Sequence, residues 1–380
     1  QYVLDSLSFS SLLERGSDFN AMAFNNNGDL YFIGWEAGLE RATADQLPDG
    51  SSQTLLPIQA YLPFFEEGAT SVKDINGAGI AFDHQGRVIS YFGGVADTPG
   101  GDQSKMGFVR CNPNGSDFTP IDLSVGEAIP ALDNYSVGDA FGVYYNADGS
   151  TNYLSPTQMV LTTINGVETL LFTIWAIPAI LQAPAEGGAV TIFQRYPEDG
   201  GFPGALTLME RDSERSLVLT YNDGSIHKIN LDTRAESVMV LNNEFQHVLA
   251  PPTLNTTRFI DIDYEPVSDT IYIAAATWWD DAVPETLIAL SLPDGSLRKV
   301  VDVGQITEVL APIRTPGGQD LGFSTVVTNP IAIAAGQPSL FLSDYWTGIQ
   351  MVRMDITPPA IPIELFDLTG DGAINYNDFI

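Results

Sequence analysis

The residues best suited to chemistry lie at the end of the chain. Asp367-Leu-Thr-Gly-Asp-Gly-Ala-Ile-Asn-Tyr-Asn-Asp378 is an oxygen-rich run. Hard cations take six to eight oxygen ligands, and a twelve-residue calcium loop offers them at positions 1, 3, 5, 7, 9 and 12. Here those positions are Asp367, Thr369, Asp371, the Ala373 carbonyl, Asn375 and Asp378. Position 6 of such a loop needs a sharp turn, and it is Gly372. Three carboxylates held this close repel one another unless a cation sits between them. Calcium is therefore the expected cofactor, against the plainer reading of an Asp/Gly-rich linker. Asn146-Ala-Asp-Gly-Ser-Thr-Asn152 alternates oxygen-bearing residues in a similar way but reads as a turn.

A second set pairs aromatic rings with acids. Trp35 follows Phe32-Ile-Gly, and Trp278-Trp279 run directly into Asp280-Asp281. Asp344 precedes Tyr345-Trp346. Aromatic faces beside carboxylates can hold sugars or cations. The competing reading is that these rings pack loops onto the strands beneath them. Asp261 and Asp263 alternate within Phe259-Ile-Asp-Ile-Asp, so on a strand they share one face. The three histidines are His84, His227 and His247. The first two fall in or beside turns. His247, in a longer connection, is the one suited to chemistry. No nucleophile motif, phosphate loop or zinc spacing is present.

Asp in place of Glu at position 12 of the C-terminal loop, with Asn at position 9, resembles the calcium repeats of dockerin modules more than animal EF-hands. The resemblance covers this loop alone. A dockerin has two such loops with helices, and the chain ends at Ile380, so cohesin binding is not implied. Continuation beyond Ile380, into a second loop or an anchoring segment, is an expectation of this reading.

Those residues need elements to hold them, and the rest of the chain repeats. One unit is a small-apolar strand, a short polar turn and a strongly apolar strand. Ala21-Met-Ala-Phe turns through Asn-Asn-Asn-Gly-Asp into Leu30-Tyr-Phe-Ile-Gly. Later units turn into strands near Val88, Leu170, Leu217, Ile271 and Leu340. The last of these begins at Pro330-Ile-Ala-Ile. Gly or Asn-Gly in the turn supplies positive φ, which marks a hairpin. A second hairpin follows most units, as in Phe108-Val-Arg-Cys before Pro113-Asn-Gly-Ser.

Four antiparallel strands repeated in this way form the blade of a β-propeller, in which each sheet covers its neighbour. The expectation is an all-β propeller of six four-stranded blades. A count of seven, using the segment around Ala140-Phe-Gly-Val-Tyr-Tyr, is the alternative. The strand-like segment from Tyr2 to Phe9 is expected to close the ring by pairing into the last blade. The blade rhythm resembles six-bladed propellers of the NHL, lactonase and sugar-dehydrogenase type. No catalytic motif of those families matches residue by residue. Residues 1–356 are thus read as the propeller, 357–366 as a proline-rich linker and 367–380 as the start of the calcium segment.

Composition narrows the function. Forty-eight acids against 16 bases leave a formal net charge of −32, which repels nucleic acid and anionic lipid. One cysteine, Cys111, excludes an internal disulfide. The longest apolar run, Leu170 to Ala183, contains Pro178 and is too short to span a membrane. Gln1 fits the first residue after a removed signal peptide, and the expected location is secreted or on the cell surface. The leading reading is a calcium-binding propeller acting in binding, attachment or extracellular assembly. Its partner would be an extracellular protein or polysaccharide, or further copies of itself. An extracellular metal-dependent hydrolase of lactonase type, using channel acids such as Asp261 and Asp263, and a carbohydrate-binding propeller are the alternatives.

Overall fold

A computed structural model describes residues 9–14, 19–34, 37–47, 51–65, 68–125, 135–137, 144–146, 156–174, 177–197, 201–249, 258–266, 268–276, 286–302, 323–329, 339–344 and 349–355. After β1 (Phe9–Glu14), the first sheet contains β2 (Phe19–Phe24), β3 (Leu30–Gly34), β4 (Gly38–Ala42) and β5 (Gln53–Leu56). The second contains β6 (Ser71–Phe82), β7 (Val88–Thr98), β8 (Gly101–Cys111) and β9 (Thr119–Pro120). Three short strands follow: β10 (Leu123–Val125), β11 (Tyr135–Val137) and β12 (Tyr144–Asn146). The third sheet is built on β13 (Pro156–Ile164), β14 (Val167–Ile174), β15 (Ala179–Pro184) and β16 (Gly188–Arg195). The fourth has β17 (Pro203–Arg211), β18 (Glu214–Tyr221), β19 (Ile226–Asn230) and β20 (Glu236–Val240). The fifth has β21 (Arg258–Glu265), β22 (Thr270–Ala276), β23 (Thr286–Ser291) and β24 (Leu297–Asp302). The last joins β25 (Phe323–Thr328), β26 (Ser339–Asp344) and β27 (Ile349–Asp355) to β1.

The fold is an all-β propeller. Strands β2, β6, β13, β17, β21 and β25 are innermost and follow one another around an axis. Consecutive strands pair by hairpins whose turns the sequence encodes. Between β13 and β14, Asn165 (φ 52°) and Gly166 (φ 79°) form a two-residue turn with both residues left-handed. That geometry matches the twist of the flanking strands, and Asn-Gly is its preferred sequence. The second strands begin near the expected residues in every sheet.

The core is divided into wedges between neighbouring sheets. Tyr91 stacks on Phe108 with ring centroids 4.4 Å apart, and both meet Phe172 of the next sheet edge-on. Another wedge joins the fourth and fifth sheets through Met209, Phe245, Phe259 and Ile273. Each sheet covers its neighbour, so no single continuous core is needed.

Two sequence expectations are corrected. First, five sheets have four strands, not six or seven; the sheet on β13–β16 has five because β10 adds in parallel beside β16. Around the segment proposed for a seventh blade, the described residues make the two-stranded pair β11–β12, and residues 138–143 lie outside them. Second, the innermost described strand of the last sheet is Phe323–Thr328, and the run starting at Pro330 that was expected there lies outside the described residues. Val326 and Thr328 of this strand donate their N–H groups to Asp261 and Asp263 on the neighbouring sheet. An N-terminal strand completes the last sheet, as expected: it is Phe9–Glu14, antiparallel to β27 with Phe9 opposite Met354, and Tyr2–Ser8 lie outside the described residues. No helix among the described residues is long and apolar enough to cross a membrane.

Candidate functional site: the axial cavity

The innermost strands leave a cavity of about 360 Å³ at the axis. Small residues let them approach. A Cβ on Gly79 of β6 would lie 2.6 Å from Met159 Cγ of β13. The cavity's apolar lining residues include Phe24, Met159 and Val326. Its polar members include Gln158, Thr207, Asp261, Asp263 and Thr328, and no Lys, Arg or His lines it among the described residues.

Strand alternation brings Asp261 and Asp263 to the same side of β21, as their spacing predicts. Asp261 Oδ2 accepts the Val326 N–H at 2.8 Å. Its Oδ1 accepts the Ile262 N–H at 2.9 Å and Gln158 Nε2 at 2.9 Å. Asp263 Oδ2 accepts both the N–H and the hydroxyl of Thr328, at 2.8 and 2.9 Å. The Thr207 hydroxyl donates to Asp263 Oδ1 at 3.3 Å. The two side chains therefore tie together β13, β17, β21 and β25.

Burial without a counter-cation disfavours the charged form. It pushes the Asp261 carboxyl up to about 7 and that of Asp263 to about 6. The donated hydrogen bonds pull the other way in both. For Asp261 the neighbouring Asp263 charge adds to the upward shift. These acids line the axis, as a metal-dependent channel enzyme would need. Their oxygens are nonetheless engaged by donors of the protein itself. No group of three or more His, Cys, Asp or Glu side chains suited to a metal occurs among the described residues.

The histidines sit elsewhere. His84 Nδ1 pairs with Glu168 Oε2 at 2.5 Å, bridging the second and third sheets at their turns. His227 belongs to a relay that the sequence reading did not anticipate. Its Nε2 is 2.7 Å from Ser225 Oγ and its Nδ1 is 2.7 Å from Glu236 Oε1. Such distances suit a nucleophile, base and orienting acid. The single Ser225 hydroxyl proton, however, faces Asp223 Oδ1 at 2.5 Å, and Ser225 is 2% exposed. The relay therefore pins the turn between β18 and β19 to β20. The signal in the sequence was Asp223-Gly-Ser followed by a histidine two residues on. His247 is exposed at the end of a two-turn 3-10 helix, Asn242–His247. It borders a groove of about 650 Å³ with Met209, Arg211, Lys228 and Met239. Cys111 is buried, and burial pushes its thiol up to about 12, so it is no nucleophile.

Trp35, Trp278, Trp279, Asp280, Asp281, Tyr345 and Trp346 lie outside the described residues, as does the loop with Asp367, Thr369, Asp371, Ala373, Asn375 and Asp378. Asp344 is the last residue of β26. The linker at 357–366 is also outside.

No protein-family model matches the sequence, and no curated protein matches it. Solved structures do. The extracellular domain of the putative hybrid two component system BT4673 from B. thetaiotaomicron aligns with 94% of this chain at 11% identity and a TM-score of 0.49. The Niastella koreensis GH74 enzyme aligns with 92% at 13% identity and a TM-score of 0.49. This chain covers 44% and 47% of those two, so it spans less than half of their length. YCF48 from Cyanidioschyzon merolae is covered in full, at 10% identity over 93% of this chain and a TM-score of 0.46. At these identities the likeness is one of fold.

Proposed function

We propose that this protein is a secreted or cell-surface propeller that binds or assembles. Its tail, carrying the calcium loop from Asp367 to Asp378, would provide attachment. The observation that carries this reading is the use of the axial acids. Asp261 and Asp263 accept six hydrogen bonds from β13, β17, β21 and β25, two of them backbone donors of β25. A carboxylate engaged in holding strands is poorly placed to serve a substrate as well. The net charge of −32 supports the same reading, because it suits a medium rich in screening cations. Calcium would be held by Asp367, Thr369, Asp371, the Ala373 carbonyl, Asn375 and Asp378, neutralising their mutual repulsion. The rings and acids of Trp35, Trp278, Trp279, Asp280, Asp281, Asp344, Tyr345 and Trp346 would meet an extracellular protein or polysaccharide.

The test compares the full chain with one truncated after Thr357, both in calcium. Attachment to immobilised extracellular polysaccharides and self-assembly in sedimentation are measured. The shortened chain should keep its β-type circular dichroism and lose attachment or assembly. Retained attachment, together with an esterase or lactonase turnover that Asp261→Asn abolishes, would replace this reading with the enzymatic one.

A further inference from the structure

The outermost strand of each sheet presents a row of backbone N–H and C=O groups that invites another strand, and natural proteins blunt such edges. Several edges here are blunted by identifiable means. Strand β16 is covered by β10. Strand β9 ends in Pro120, which has no N–H to offer. Strand β24 carries Arg298 and an exposed Lys299. Strand β5 is four residues long, and its exposed positions are Gln53 and Thr54.

Strand β20 is bulged once, at Met239 between Val238 and Val240, but among the described residues it has no covering strand, proline or cation. It reads Glu236-Ser-Val-Met-Val240, with no Lys, Arg or Pro, and pairs only with β19 among the described residues. Its one charged side chain is turned aside. Glu236 accepts from Gln194 Nε2 at 3.1 Å and meets His227 Nδ1 at 2.7 Å. The edge is also apolar. Val238 is 48% exposed and Leu241, directly after the strand, is 52% exposed. They are two of the three exposed large hydrophobic residues among those described, the third being Val167 beside a hairpin turn.

The neighbouring sheet shows what such an edge accepts. Leu123–Val125 lies parallel on Gly188–Val190, and Ile121 and Leu123 are buried there with Val190. Three residues suffice for an added strand in this fold.

We propose that the free edge of β20 docks an extended segment of another polypeptide, which adds as a fifth strand and covers Val238 and Leu241 with its own apolar side chains. This is recognition by strand addition, in which backbone hydrogen bonds supply affinity and side chains supply choice. The segment is basic, because the chain carries a net charge of −32 and its field favours a cationic partner. A second copy brings the same −32 and is repelled. The proposal rests on the reading of the protein as a binding propeller and names the chemistry of one partner.

The probe is a capped peptide of alternating lysine and valine, measured by fluorescence anisotropy at physiological salt with hydrogen exchange along residues 236–241. The control is the same peptide with alternate amides N-methylated, which keeps charge and removes the donors. Protection should rise on β20, and N-methylation should weaken binding about tenfold or more. Val238→Lys, an exposed change that leaves the core intact, should do the same. Equal binding of the methylated peptide, or protection on another edge, overturns the proposal. So does a self-association in sedimentation that Val238→Lys abolishes, which would assign the edge to a second copy. Tail-dependent attachment that persists while the peptide fails removes this inference and leaves the proposed function standing.

Discussion

Asp261 and Val326 are joined across a sheet boundary: the carboxylate Oδ2 of one accepts the backbone N–H of the other at 2.8 Å. Two residues further along each strand, Asp263 and Thr328 repeat the contact. A side-chain pair thus imitates a β-ladder where the two sheets cannot pair edge to edge. The last sheet, which takes β1 as its outermost strand, is held to the ring at this seam.

Truncating this contact should be costly. Asp261→Ala leaves the Val326 and Ile262 N–H groups and Gln158 Nε2 without an acceptor. Each unsatisfied buried donor costs about 1–3 kcal/mol. Urea unfolding monitored by intrinsic fluorescence should show a lower midpoint, with the loss concentrated where β25 meets β21 in hydrogen exchange. An unchanged midpoint would mean that the contact carries no weight.

The same pair should make stability depend on pH. Burial raises the Asp261 and Asp263 carboxyls from an ordinary 3.8 to about 7 and about 6 in the folded protein. The native state then holds these protons more tightly than the unfolded chain. Their contribution is complete below pH of about 4 and is lost as pH rises through the folded values. Mutual repulsion of 48 acids acts in the same direction, so the comparison must be with a variant. Asp261→Asn should flatten the fall in Tm between about pH 5 and 8 relative to the parent chain. Parallel curves would show that Asp261 does not titrate there.

The strap from the second sheet to the third depends on one glycine. Gly187 has φ +100°, and a Cβ there would come within 2.7 Å of the Asp122 carbonyl oxygen. Gly187→Ala should cost about 1–3 kcal/mol through backbone strain. It should also free the amides of Leu123–Val125 to exchange while the ladder of β13–β16 stays protected. Retained protection of the strap would contradict this.

Calcium should bind the tail without holding the ring. Calorimetry of the full chain should show a calcium heat that Asp371→Ala abolishes, because that residue supplies the fifth position of the loop. Chelation should leave the thermal unfolding of residues 9–355 unchanged. A calcium heat that survives the substitution would place the site elsewhere.

Much of the ring was legible in the chain because hairpins are local. Asn165-Gly166 specifies a tight turn, and the apolar run that follows specifies a strand buried on both faces. The last innermost strand was misplaced for a physical reason. Pro330-Ile-Ala-Ile has the small-apolar composition of its counterparts. What selects Phe323–Thr328 is a pair of acceptors sixty-five residues away, on Asp261 and Asp263. Strand β10 was missed because three residues carry no periodicity, and its partner lies sixty-five positions on, at Gly188.

The sequence by itself determined the hairpins, the acidic surface and the common face of Asp261 and Asp263, since each follows from neighbours along the chain. Only the tertiary structure decided that those two carboxylates hold the seam, that His227 is locked between Ser225 and Glu236, and that among the described residues β16 is covered while β20 is not. Each of these depends on groups brought together across the ring, where burial and the choice of hydrogen-bond partner are set by packing.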